Sequence, residues 1–158
     1  MADAAQAAYT DAVKMLSRRE LSEAQVRQRL GRRGHLETAI ESAVARLREE
    51  RAIDDGRVAE AIARNQISTK SRGARRAERQ ILQAGITPEI ARRATRAVSE
   101  TVDPDAQIEI SLTKRLRGGK RLTDEKTFRR LYRYLVGQGF EPERVLAILR
   151  KQQRRPKT

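Results

Sequence analysis

Ser22-Glu23-Ala24-Gln25-Val26-Arg27-Gln28-Arg29-Leu30-Gly31-Arg32-Arg33-Gly34 is the stretch whose reading decides the fold. Ser22 followed three residues later by Gln25 fits a capping box, in which each side chain satisfies the other's backbone N–H. Val26 and Leu30 then share one helix face, and Gly34 stands where a left-handed residue ends a helix at low steric cost. The same frame occurs twice more, because Val26, Leu30 and Gly34 correspond to Ala77, Ile81 and Gly85, and again to Leu131, Leu135 and Gly139. The offset is 51 residues and then 54. The correspondence continues into the next segment, where Leu36-Glu37 stands against Thr87-Pro88 and Glu141-Pro142, the middle copy being one residue shorter before Ile90.

Outward from this frame, apolar residues recur at helical spacing along the whole chain. Tyr9, Val13 and Leu16 precede the first copy, and Leu36, Ile40, Val44 and Leu47 follow it. Val58 with Ile62 and Ile90 with Ala94 and Ala97 flank the second; Ile108, Leu112 and Leu116 and then Val145, Ile148 and Leu149 flank the third, whose own helix adds Phe128. Nine helices result, predicting an all-α protein of three tandem three-helix repeats over residues 1–53, 54–102 and 103–158. Units of this size are marginal alone and gain stability from neighbours. Aromatics are only 3% of the 158 residues, which suits several small cores and an elongated, curved array. The alternative is one compact bundle in which the glycine spacing is accidental.

Chemistry-bearing residues are sparse. There is no cysteine and one histidine, which leaves no thiol chemistry and no cysteine or multi-histidine metal site. The carboxylate pairs Asp54-Asp55, Asp103-Asp105 and Asp124-Glu125 all fall at expected helix starts, where they cap backbone N–H groups and offset the helix dipole. Thr87-Pro88-Glu89 is a further start, and Thr123 precedes the last of the acidic ones. Gly118-Gly119-Lys120 lacks the flanking residues of a phosphate-binding loop, and His35 reads as an inter-helix packing residue. No enzyme, metal or cofactor is expected.

Charge carries more information. Thirty-five Lys and Arg against 21 Asp and Glu give a formal net charge of +14, a field that favours polyanionic partners. The basic residues cluster: Arg18, Arg19, Arg27, Arg29, Arg32 and Arg33; then Arg72, Arg75, Arg76 and Arg79, which on one helix would share a face; then Lys114, Arg115, Arg117, Lys120 and Arg121, followed by Arg129, Arg130 and Arg133. The candidate binding residues are Arg18, Arg19, Arg27, Arg32, Arg33, Arg72, Arg75, Arg76, Arg79, Arg115, Arg117, Lys120 and Arg121. Few side chains suit sequence-specific base readout. No apolar run approaches the roughly 20 residues of a membrane span, and residues 1–6 lack the features of a signal peptide, so a cytoplasmic protein is expected.

Two stretches carry a family resemblance. Arg19-Glu20-Leu21-Ser22 through Leu30 resembles the opening motif of RecX proteins, and Ile53-Asp54-Asp55-Gly56-Arg57-Val58-Ala59, Ser71-Arg72-Gly73, Ile81-Leu82 and Gly85-Ile86 resemble the next signature in order and spacing. Leu131 through Gly139-Phe140 to Val145 looks like the closing repeat. Leu21, Val58 and Ala74 depart from the usual basic, aromatic and proline residues, all with helix-compatible replacements. The resemblance implies a non-enzymatic, monomeric regulator without cofactor that binds along the RecA–DNA filament. It also implies inhibition of ATP hydrolysis, strand exchange and coprotease activity, and damping of the DNA-damage response. Single- and double-stranded DNA are expected contacts of the basic surface. The competing readings are a general DNA-binding protein of the nucleoid or transcription type and an RNA- or ribosome-associated factor.

Overall fold

The computed structural model describes residues 2–116, 122 and 124–155, and every regular segment among them is helical. The α-helices are α1 (Ala2–Arg18), α2 (Glu23–Arg32), α3 (Glu37–Glu49), α4 (Asp55–Ala63), α5 (Ala74–Gln83), α6 (Pro88–Ser99), α7 (Pro104–Arg115), α8 (Glu125–Gly137) and α9 (Pro142–Gln153). A π-helical turn, Arg64–Thr69, continues α4. The chain groups into two compact units, Met1–Ala59 with Ile81–Ala91 and Glu60–Gln80 with Arg92–Thr158.

In the first unit α1, α2 and α3 enclose Leu21, Val26, Leu30, Ile40, Val44 and Leu47. The stripe of α1 differs from the expected Tyr9, Val13 and Leu16: Ala8, Ala12 and Met15 are buried, and Val13 is 41% exposed. Alanine lets the α1 and α3 backbones approach closely, so the larger Tyr9 and Leu16 pack at the margin of the core. Tyr9 is placed there by polar contacts, its hydroxyl 2.6 Å from Glu50 Oε2 and the Arg46 guanidinium 3.7 Å above its ring. Leu36 also departs from its expected stripe and is exposed, because it precedes α3 instead of belonging to it.

In the second unit α7, α8 and α9 repeat the arrangement around Ile108, Leu112, Leu131, Leu135, Phe140, Val145 and Leu149. Leu116 and Phe128 pack half-buried against it. On α6 the buried residues are Ala91, Ala94, Thr95 and Val98, not Ile90, Ala94 and Ala97. Both sets are valid helical stripes; in the observed one Val98 is buried and Ile90 lies half-buried at its edge.

The caps expected at Ser22, Asp54, Asp103 and Asp124 form, and Thr123 lies outside the described residues. Ser22 Oγ accepts from the Gln25 N–H at 3.1 Å while Gln25 Oε1 accepts from the Ser22 N–H at 3.0 Å. Asp54, Asp103 and Asp124 accept from the N–H groups of Arg57, Asp105 and Thr127. Asp55 caps at a distance, taking the Glu23 N–H at the start of α2 at 2.9 Å. Gly34, Gly85 and Gly139 have φ of +86°, +79° and +97°, the left-handed region that L-residues with a Cβ occupy at a cost.

Two of these glycine turns are wedged against the start of another helix. The Ser22 hydroxyl donates to the Ala84 carbonyl, and a methyl group on Gly85 would lie 2.4 Å from Ala24 Cβ. The Gly73 N–H donates to the Gln138 carbonyl at 2.8 Å and the Arg75 N–H to the Gly139 carbonyl at 3.2 Å. A methyl on Gly73 would fall 2.1 Å from the Gly139 carbonyl carbon. Ser22 and Gly73 occupy the same place in the repeat, so one joint is built twice, a helix start donating to the carbonyls of a turn through the Ser22 hydroxyl in one copy and through backbone N–H groups in the other.

Replacing Gly85 with alanine is expected to destabilise the fold by about 2–4 kcal/mol, combining left-handed strain with the collision against Ala24. Urea unfolding of the purified variant measures this directly. Acid is expected to weaken the fold as well. The Asp11 carboxyl is held below the ordinary aspartate range chiefly by its hydrogen bond with His35, Glu41 by Arg27, and Glu50 by Tyr9. Acids depressed in the folded state contribute stability above their unfolded pKa and lose it as pH falls through the folded one. The urea midpoint should therefore drop steadily below about pH 4, and Asp11→Asn should flatten that fall.

Candidate nucleic-acid interface

The candidate arginines meet different fates. Arg18 and Arg19 are exposed at the end of α1, and Arg32 is exposed at the end of α2. Arg27 lies between Glu41, which it binds through Nη1, and Glu23 at 3.4 Å. The Glu41 hydrogen bond raises the pKa of Arg27, and Arg27 in turn lowers that of Glu41. Arg33 Nη1 is 3.5 Å from Asp11 Oδ1, the carboxylate whose other oxygen is 2.7 Å from His35 Nε2. Arg48 with Glu23, Arg57 with Glu20 and Arg46 with Glu50 are further pairs of the first unit.

Arg72 is not on α5 with Arg75, Arg76 and Arg79. It precedes the helix, after Ser71 at φ +52°, because its N–H is taken by the Gln66 carbonyl at 2.9 Å and its guanidinium by Gln66 Oε1 at 2.8 Å. Arg76 is half-buried and donates to Gln138 Oε1 at 3.1 Å, so Arg75 and Arg79 are the exposed pair. Arg115 ends α7 with its guanidinium 4.5 Å from the Tyr134 ring centre. Arg117, Lys120 and Arg121 lie outside the described residues.

The densest exposed cluster is on α8. Lys126, Arg129, Arg130 and Arg133 stand at i, i+3, i+4 and i+7 and line an open cavity of about 900 Å³ with Glu125 and Thr127. Arg129 pairs with Glu125 at 2.7 Å; Lys126, Arg130 and Arg133 have no ion pair among the described residues. Seven residues of helix span roughly 10 Å, enough to follow two or three successive phosphates of a strand. Lys126 lies in the first turn of α8, where the helix dipole reinforces attraction to anions. Asp124 already caps this end through Thr127, which holds its carboxyl below the ordinary range.

Residues 8–47 match the family model for the first three-helix domain of RecX. The regulatory protein RecX of Chromohalobacter salexigens is 32% identical over 135 residues, covering 85% of this chain and 86% of its own length. The chain belongs to the RecX family. A RecX of Geobacillus thermodenitrificans is 26% identical over 149 residues, 94% of this chain and 55% of its own length. The chain thus spans about half of that relative. The fold is shared with the crystal structure of RecX from Lactobacillus salivarius, at a TM-score of 0.82 and 19% identity over 96% of this chain and 98% of that one. A second crystal structure, of a regulatory protein RecX, has a TM-score of 0.79 at 21% identity over 95% and 73%.

The relatives are named as regulatory proteins, and the carboxylates at the helix starts of this chain are engaged in holding the fold. Asp54, Asp55, Asp103 and Asp124 hold backbone N–H groups, Asp105 pairs with Arg144 at 3.1 Å and Glu125 with Arg129. The α8 face was not among the candidate residues, although its i, i+3, i+4, i+7 spacing is written in the sequence. What the sequence did not display was how many other arginines have carboxylate partners. Changing Lys126, Arg129, Arg130 and Arg133 together to glutamine is expected to leave helicity intact. It should also make the log-affinity against log-salt slope for a DNA duplex shallower by about 3, as read by fluorescence anisotropy.

Proposed function

We propose that this RecX-family chain binds the RecA recombinase filament on DNA and restrains its ATP hydrolysis, strand exchange and coprotease activity, thereby moderating recombination and the DNA-damage response. Family membership supplies the recombinase as partner. The observation that carries the mechanism is the cationic face of α8, on which Lys126, Arg130 and Arg133 have no ion pair among the described residues, with Arg75 and Arg79 on α5. Several cationic helix faces on one chain can engage neighbouring phosphates or acidic surfaces together, and multivalency then gives affinity without a catalytic centre. The chain acts as a cytoplasmic monomer, through contacts with both the filament and its single- or double-stranded DNA.

The test is RecA ATP hydrolysis on single-stranded DNA, titrated with this protein at moderate salt beside a basic helical protein of similar net charge. Inhibition well below one molecule per recombinase subunit, absent with the control, is the expected result. Absence of inhibition alongside tight, salt-sensitive binding to naked duplex would replace this reading with that of a general DNA-binding protein. Arg75→Gln with Arg79→Gln should weaken the inhibition several-fold without altering the thermal midpoint, since neither side chain holds a partner among the described residues.

A further inference from the structure

The α2–α3 turn, Arg33-Gly34-His35-Leu36, is built like the two turns that are docked inside the chain. The N–H of each turn glycine bonds to the carbonyl three residues back: Gly31 at 3.0 Å, Leu82 at 2.9 Å and Val136 at 3.0 Å. In the docked copies the carbonyls at this point are occupied, Ala84 by the Ser22 hydroxyl, and Gln138 and Gly139 by the N–H groups of Gly73 and Arg75. The equivalent carbonyls of Arg33 and Gly34 accept no hydrogen bond among the described residues. A methyl group on Gly34 would meet nothing within 4 Å, whereas one on Gly85 or Gly139 would collide with the docked helix.

Leu36 gives a second, independent indication. It is the N-cap residue of α3, extended at φ −69° and ψ 147°, yet it provides no side-chain cap, and it is 69% exposed. Serine or aspartate at this position would cap the helix; leucine forgoes the cap and leaves an apolar side chain in water, a local rule broken without gain inside the chain. Arg29 and Arg32, exposed in the last turn of α2, flank the same turn and have no ion pair among the described residues.

We propose that this turn is a third copy of the joint, and that it receives the N-terminal end of a helix from a partner protein. The internal joints define what fits. The cap position takes serine or glycine and the following turn lies close enough that a Cβ on the glycine collides, so the incoming helix start carries small residues there. Its donors, a hydroxyl or backbone N–H groups as at Ser22 and Gly73, meet the Arg33 and Gly34 carbonyls, and first-turn acids face Arg29 and Arg32; Leu36, whose counterparts Thr87 and Glu141 stay exposed in the docked copies, adds an apolar contact that the internal joints lack. Nucleic acid fits poorly, because phosphate oxygens and open carbonyls are both acceptors. A second copy of the chain fits poorly too. Its corresponding helix start, that of α8, is already capped by Asp124, which accepts from the Thr127 N–H, and carries Lys126, Arg129 and Arg130.

The partner tested is the RecA filament, so the choice of probe rests on the function proposed above. Wild type, Gly34→Asn and Leu36→Ser are compared for binding to the filament on single-stranded DNA with a non-hydrolysable nucleotide, and to the same DNA without recombinase. Asparagine tolerates left-handed backbone and its Cβ enters open space, and serine supplies the missing cap, so Leu36→Ser should melt at or above wild type. Both variants should lose filament affinity, Gly34→Asn by about tenfold or more, while binding naked DNA as wild type does. Wild-type filament binding by a Leu36→Ser protein that is folded would overturn the inference and leave the proposed function standing. Equal loss on naked DNA would reassign the turn to nucleic acid, and concentration-dependent oligomers of wild type abolished in Gly34→Asn would reassign it to a second copy. A wild type without preference for the filament would instead overturn the proposed function, and this partner with it.

Discussion

Backbone hydrogen-bond satisfaction at helix ends is the constraint from which the rest of the architecture follows. A helix start offers N–H groups without partners and a helix end offers carbonyls without partners. This chain brings the two together by seating a helix start on a left-handed glycine turn. Ser22 on Ala84 and Gly73 on Gln138 solve the same problem, once with a hydroxyl and once with a backbone N–H. The absence of a side chain on Gly73 and the small Ala24 are consequences, because both joints bring backbone within the reach of a single methyl group. Apolar burial around Val26 and Leu30, or Leu131 and Leu135, then holds each helix at the angle the joint needs.

Much of this was legible because the joint leaves a fixed-period signature. The glycine at the end of each second helix, the Ser22–Gln25 box and the acidic starts all act through backbone groups, and such local chemistry survives changes elsewhere in the chain. The all-α class and the order of the helices follow from them. Less legible were features set by tertiary neighbours: Ala8 and Ala12 replacing Tyr9 and Val13 in the core depended on how closely α3 approaches. The π-helical turn at Arg64–Thr69 had no counterpart in the apolar pattern. It holds Gln66 and Ile67 in the interior, and Gln66 then takes Arg72 away from the helix on which spacing alone had placed it.

The candidate site was legible only in part, for an electrostatic reason. A sequence shows where arginines are dense, but an arginine attracts a distant anion only if no carboxylate already neutralises it. Arg27 is dense in sequence and balanced in space by Glu41 and Glu23, whereas Lys126, Arg130 and Arg133 have no ion pair among the described residues. His35 was read correctly as a residue that joins helices, though it does so through Asp11 and not through apolar contact.

The uneven pairing of charge also bears on the kinetics of encounter. Residues 1–53 carry ten Lys and Arg against eight Asp and Glu, and residues 103–158 carry fifteen against seven. Charges that are matched within a few ångströms cancel beyond a Debye length of about 8 Å at physiological salt, whereas unmatched ones still act at that range. A polyanion approaching in solution therefore senses the last third of the chain before it senses the first. Collision frequency should be governed by α8, and the lifetime of the complex by short-range contacts elsewhere, so that salt slows arrival far more than it hastens departure.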